Sequence, residues 1–142
     1  MSLSSDPLWK EMYFLADYIY SLLDEMADNF PDEKWNTVSK LRSSANDGMF
    51  YVAQAIGSST SDTAEFEWNG ARKNLFALRS MYVFAGKQKF LSLEPGIVVR
   101  FDKLIVEVEV KIVHAKDEAR KRVATDLEPW LEKYRLWQKI NK

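Results

Sequence analysis

The chain of 142 residues contains no cysteine, which excludes disulfides, thiolate catalysis and Cys-ligated zinc or iron–sulfur centres. Its single histidine, His114, rules out metal sites built from several histidines. Lys111 stands three residues before it, where the Glu of a di-iron Glu-x-x-His pair would be. No stretch approaches the ~18 apolar residues of a membrane span. The start, MSLSSDPLWK, has neither the basic n-region nor the apolar h-region of a secretory leader. Gly-x-Gly-x-x-Gly, Gly-x-x-x-x-Gly-Lys-Ser/Thr and Gly-x-Ser-x-Gly motifs are all missing. These absences lead to the expectation of a soluble cytoplasmic protein with no membrane association, no cofactor and no metal.

What is present is helical patterning. A hydrophobic content of 46% with 29% charged residues suits one globular domain over residues 1–142. The clearest stretch is 62–92, where Ala64, Trp68, Ala71, Leu75, Leu78, Tyr82 and Ala85 recur at alternating spacings of four and three. That is the stripe of a helix buried along one seam. Asp62 and Glu65 in front of it have capping-box spacing. Asp6-Pro7 opens an earlier helix, with Asp6 as N-cap and Leu8, Met12, Leu15, Ile19, Leu22 and Met26 inward, and Phe30-Pro31 ends it. A second helix places Val38, Leu41, Ala45, Met49, Val52 and Ile56 inward; its middle, SSANDG, predicts a kink or a close helix–helix approach at Gly48.

The segment after Ser92 is harder to read. Nine of the seventeen residues from Ile97 to Val113 are β-branched, and VEVEVKI has the alternation of a strand. A helix accounts for more of the pattern. Ile97, Phe101, Leu104, Val108, Ile112 and Ala115 form one line, while Val99, Val106, Val110 and Val113 form another opposite it. Burial on both sides is implied, so the valine line is expected to be covered by the C-terminal segment or by another subunit, making it a candidate oligomer interface. Thr125, Glu128 and Pro129 carry a second helix-start signature before Leu127, Trp130, Tyr134 and Trp137. The predicted fold is therefore all-α: an antiparallel up-down four-helix bundle with helices at about 7–29, 32–56, 63–87 and 93–121, and a short C-terminal extension helix at 126–140.

Chemistry is thin. His114 reads as an ordinary polar position on the fourth helix, and no catalytic residue is assigned. Glu25 and Asp28 match an E-x-x-D magnesium spacing but lack a partner Glu-Glu pair, so a small metal-dependent nucleotide-processing enzyme is the alternative rather than the main reading. Surfaces offer more. Residues 1–67 carry 12 acidic and 4 basic side chains, and residues 68–142 carry 9 acidic and 16 basic. This split can serve self-association, neutralisation within one subunit, or an anionic partner. Candidate nucleic-acid contacts are Arg72, Lys73 and Arg79 on the third helix, Lys116, Arg120, Lys121 and Arg122 on the fourth, and Lys133 and Arg135 beyond it, interleaved with aromatics that can stack on bases. A solvated helix face accounts for the same residues.

Several places in this order resemble a known bacterial family. They are Phe30-Pro31, Lys40-Leu41-Arg42 with Ala45, Val52-Ala53, the Ser/Thr/Gly connector, Glu65-Phe66, Leu75, Leu78-Arg79, and Ala85 through Phe90-Leu91-Ser92. The chain resembles, over roughly residues 8–120, the four-helix-bundle proteins encoded in intervening sequences of 23S rRNA genes and the related accessory variability determinant proteins of diversity-generating retroelements. It departs from them in lacking a proline near Met49, in reading YVAQA at 51–55, and in extending past about residue 123. The resemblance implies a non-enzymatic scaffold that forms homopentamers, with RNA or DNA, or a reverse transcriptase, as partner. A purely structural interaction module is a further alternative.

Overall fold

The computed structural model describes residues 2–141, and these are all-helical, with four α-helices and no strand. They are α1 (Pro7–Asn29), α2 (Thr37–Ile56), α3 (Ser61–Lys87) and α4 (Pro95–Ile140), with 3-10 turns at Leu3–Ser5 and Pro31–Glu33. Each helix packs against the next in sequence, and α1 also packs against α4.

The helix starts follow from specific side chains. Asp6 accepts from the N–H groups of Leu8 and Trp9, and Pro7 occupies the first turn, where its missing donor costs nothing. The second helix does not begin at Asp32 as expected. A 3-10 turn follows Pro31, and α2 starts only at Thr37, whose hydroxyl and N–H both donate to the Glu33 carboxylate. Nor do Asp62 and Glu65 cap α3. Thr60 does, accepting from the Thr63 N–H at 3.2 Å, while Asp62 turns outward to Arg122. Threonine at Ncap leaves Asp62 in the first turn, where its charge still opposes the helix dipole favourably.

The end of α3 is a Schellman motif. The Phe90 N–H donates to the Ala85 carbonyl and the Lys89 N–H to the Gly86 carbonyl, with Lys89 in the left-handed region at φ 64°. Phe90 then packs edge-on against Phe84, giving the apolar contact that accompanies this motif.

The core is a single cluster. Every residue of the α4 line Ile97, Phe101, Leu104, Val108, Ile112 and Ala115 is buried, as are Trp68, Ala71, Leu75, Leu78, Tyr82 and Ala85 of α3. Residues 97–113 are helical throughout. Packing overrides the β-branched composition, because a strand would put Ile97, Phe101 and Ala115 on one face and Leu104, Val108 and Ile112 on the other. In α1 the stripe shifts by one residue, with Leu23 buried and Leu22 only partly so. Gly48 and Gly70 are places of close approach. A Cβ on Gly48 would lie 2.9 Å from the Met12 methyl of α1, and one on Gly70 would lie 2.5 Å from the Tyr51 ring. The helix-poor middle of α2 thus brings α1 close, at a residue without a side chain.

Tyr82 ties three elements together. Its ring is fully buried, its oxygen accepts from the Glu94 N–H at 2.9 Å, and its hydroxyl shares a 3.1 Å hydrogen bond with Tyr18 of α1. Burial, then the bond to Tyr82, holds the Tyr18 phenol well above the usual tyrosine range. On the outside, Arg100 grips both oxygens of Glu11 at 2.7 and 2.8 Å while lying 3.5 Å over the Phe14 ring. The hydrogen bond from Arg100 outweighs partial burial and lowers the Glu11 carboxyl below its ordinary 4.5. A lowered folded-state value means that stability from this pair is present above the unfolded value and is lost as pH falls through the folded one. Glu11→Gln is therefore expected to flatten the acid limb of a stability profile below about pH 4.5, measured by urea unfolding. An unchanged acid limb would show that the pair contributes nothing.

The largest departure from expectation is at the C-terminus. The fourth helix and the extension are one helix of 46 residues, running through Pro129 without a break. Thr125 does not cap a new helix; its hydroxyl bonds back to the Lys121 carbonyl, the habit of a serine or threonine inside a helix. No glycine or turn residue stands between 121 and 126 to end the helix, and the proline alone does not end it. Consequently the C-terminal segment does not fold back over the valine line.

Candidate functional site

The side chains that distinguish this chain lie on α3, on α4 and at the end of the molecule where the α2–α3 connector meets α4. On α3, Arg72, Lys73 and Arg79 stand off the buried seam. Arg79 is committed within the fold, donating to both oxygens of Asp102 on α4 at 2.6 and 3.3 Å. Arg72 is half-buried with its guanidinium 5.8 Å from the Phe76 ring, and Lys73 is exposed.

The basic run on α4 is dispersed by helix geometry. Successive residues turn by about 100°, so Arg120, Lys121 and Arg122 point to three sides of the helix. Arg122 binds Asp62 of α3, and Arg120 lies 3.8 Å from Asp117 one turn back. Lys133 sits 5.4 Å over the Trp130 ring. Among the described residues, no carboxylate lies within ion-pair distance of Lys73, Lys116, Lys121 or Arg135. The expected basic residues are therefore not one patch, and about half of them are paired internally or against an aromatic face.

A cleft that the sequence reading missed gathers some of them. It has a volume of about 730 Å³ and is bounded by the connector Ser58–Ser61, by Asp6 at the start of α1, by Trp68, and by Lys111, His114, Glu118, Lys121, Arg122 and Thr125 of α4. The α4 residues recur at three- and four-residue spacings, so the stripe was readable. Its members are polar and of both signs, so no apolar periodicity marks it. Lys111 and Lys121 can hold an anionic group, Arg122 being already paired with Asp62, and Asp6 and Glu118 limit how much negative charge fits. His114 is mostly exposed, 3.9 Å from Glu118. Glu25 and Asp28 are exposed on α1. Among the described residues, no group of three or more His, Asp and Glu side chains is gathered closely enough to hold a metal ion.

The other feature is apolar. Val99, Val106, Val110 and Val113 are 49–61% exposed, along a face of α4 that nothing in the protomer covers. Further along, every described residue from Arg120 onward is exposed, including Val123, Leu127, Trp130, Leu131, Tyr134, Leu136, Trp137 and Ile140. Singly exposed hydrophobics are ordinary, whereas a continuous row marks an interaction surface. Among the described residues, no helix is long and apolar enough to cross a membrane. Comparisons with protein-family models, with curated proteins and with solved structures give no match to this chain.

Proposed function

We propose that this chain is a non-enzymatic scaffold: an antiparallel up-down four-helix bundle that assembles into homo-oligomers through α4 and binds a nucleic acid or a nucleic-acid enzyme. The observation that carries the reading is the exposed valine row, opposite a core line that already satisfies the bundle. Self-association removes that row from water; fully burying an exposed valine is worth about 1.5 kcal/mol or more, and these, about half exposed in the protomer, gain roughly half of that each. The charge split between the first 67 residues and the rest supplies a complementary second attraction between subunits. A ring of five and a reverse transcriptase as partner follow from the resemblance to the rRNA intervening-sequence and retroelement accessory proteins.

The nucleic-acid part rests on Lys73, Lys116, Lys121 and Arg135, the candidate cations with neither an internal carboxylate nor an aromatic face, and on Lys111, which joins Lys121 in the cleft. Binding through such groups is electrostatic and weakens with salt as counterions are released. The protein is expected to retard single-stranded RNA in a gel at about 50 mM salt, with affinity falling steeply by about 200 mM. Replacing Lys121 with alanine is expected to reduce the salt slope by about one. Absence of retardation at the lower salt would leave a protein partner alone.

A further inference from the structure

The outward face of α3 carries a line of large side chains that the bundle does not use. From Phe66, the residues Asn69, Lys73, Phe76, Ser80 and Phe84 follow at spacings of three and four. At about 100° per residue they fall within an arc of about 80°, opposite the buried line of Ala71, Leu75, Leu78 and Tyr82. Phe66 and Phe84 stand five turns apart, about 27 Å, on the same side of the helix. Phe66, Phe76 and Phe84 are 69%, 49% and 45% exposed.

The charge on this face has one sign. Between Trp68 and Leu93 the chain carries Arg72, Lys73, Arg79, Lys87 and Lys89 and no Asp or Glu. Lys73 lies on the line itself and Lys87 continues it beyond Phe84, both exposed, while Arg72 flanks it with its guanidinium 5.8 Å from the Phe76 ring. Asp62 and Asp102 are held by Arg122 and Arg79, and Glu65, just outside the arc, is half-buried. Beside Phe84 the surface is concave. A pocket of about 330 Å³ there is lined by Asn36, Lys40, Met81 and Phe84, and by Glu33, whose carboxylate is taken up by Thr37. The Asn36 side chain caps no helix. This volume is at the small end of ligand sites, with room for one flat ring system.

We propose, resting on the nucleic-acid reading above, that this row seats a single strand of nucleic acid, RNA or DNA. Phe66, Phe76 and Phe84 stack on unpaired bases, and Lys73, Lys87 and Arg72 meet the phosphates. The pocket beside Phe84 receives one base, whose edge the Asn36 amide and Lys40 can meet. A duplex hides its base faces in its own stack, so the row offers it charge alone. A lipid surface would take Asn69 and Ser80 out of water without partners. The core of a protein interface is depleted of charges such as Lys73. The row belongs to a different helix from the valines and does not use their face.

Fluorescence anisotropy of labelled uridine and thymidine strands of about 15 nucleotides, titrated with the full chain at about 50 mM salt, tests this seat. The parent chain is expected to bind at least one strand more tightly than the matching duplex. Phe66→Ala with Phe76→Ala leaves the core untouched and is expected to weaken binding about 5-fold or more per ring, with the salt slope unchanged and the helical circular dichroism retained. Lys73→Ala is expected to lower the salt slope by about 0.7. A strand carrying 5-iodouridine, irradiated in the complex, is expected to attach at Phe66, Phe76 or Phe84. Binding that these variants leave intact, or attachment confined to α4, would overturn the α3 seat while the nucleic-acid reading stands on the cations of α4. A duplex bound as tightly as the single strand would overturn the stacking. No binding by the parent chain would overturn both readings. Uptake onto phosphatidylserine–phosphatidylcholine vesicles, lost in the phenylalanine variant and unaccompanied by strand binding, would overturn the seat in favour of a lipid surface.

Discussion

Tyr82→Ala is expected to lower the unfolding free energy by about 3–5 kcal/mol, the range for deleting a large buried aromatic. The side chain is fully buried, packs against Tyr18 and Phe101, and closes the junction between α3 and the start of α4. Its removal leaves a cavity, and it also strands the Glu94 N–H and the Tyr18 hydroxyl. Tyr82→Phe isolates the second part. It keeps the ring and removes the oxygen, so the expected cost is about 1–3 kcal/mol, the penalty of buried polar groups left without partners. Domains are stable by only about 5–15 kcal/mol, so the alanine variant loses a large fraction of the total. Urea unfolding of the three proteins at neutral pH measures the difference. Equal losses for the Ala and Phe variants would show that the hydrogen bonds, and not the ring, hold the junction.

Changing Val106 and Val110 together to aspartate is expected to act in the opposite way, with little effect on the protomer and a large effect on assembly. Both residues are about 60% exposed, and substitutions at exposed helix positions usually change stability by less than about 0.5 kcal/mol. Aspartate and valine also have similar helix propensity. In an interface, each new carboxylate would have to be desolvated without a partner, which costs several kcal/mol. The double variant should keep its helical circular dichroism and melting behaviour while its particle loses mass. A variant that unfolds would place these valines in the core of the protomer. One that keeps the parental mass would remove them from the interface.

How much of this was readable in the sequence depends on which force set each feature. Apolar periodicity gave the core lines of α3 and α4 almost residue for residue, because burial on one face of a helix is a local pattern. It also resolved residues 97–113 as helix against their β-branched composition. Capping was read less well. Asp62 and Thr125 both have the right chemistry and spacing to start a helix. Thr60 and the continuous α4 prevailed because Arg122 draws Asp62 outward and nothing between residues 121 and 126 interrupts the helix. The delay of α2 to Thr37 depends on Glu33 reaching forward from a 3-10 turn, a choice between two acceptable local geometries. Of the candidate surface, the valine line was legible as a second stripe. The pairing of Arg79 with Asp102 and of Arg122 with Asp62 was not, since both join residues distant in sequence. The cleft beside the connector was hidden because its α4 members are polar and of both signs.

The account stands or falls on whether α4 is covered by another copy of the chain. The mass of the unmodified protein in solution, by light scattering coupled to size exclusion at micromolar concentration, is the direct measurement. A particle of several times 16.5 kDa is expected. A monodisperse species of 16.5 kDa would contradict it.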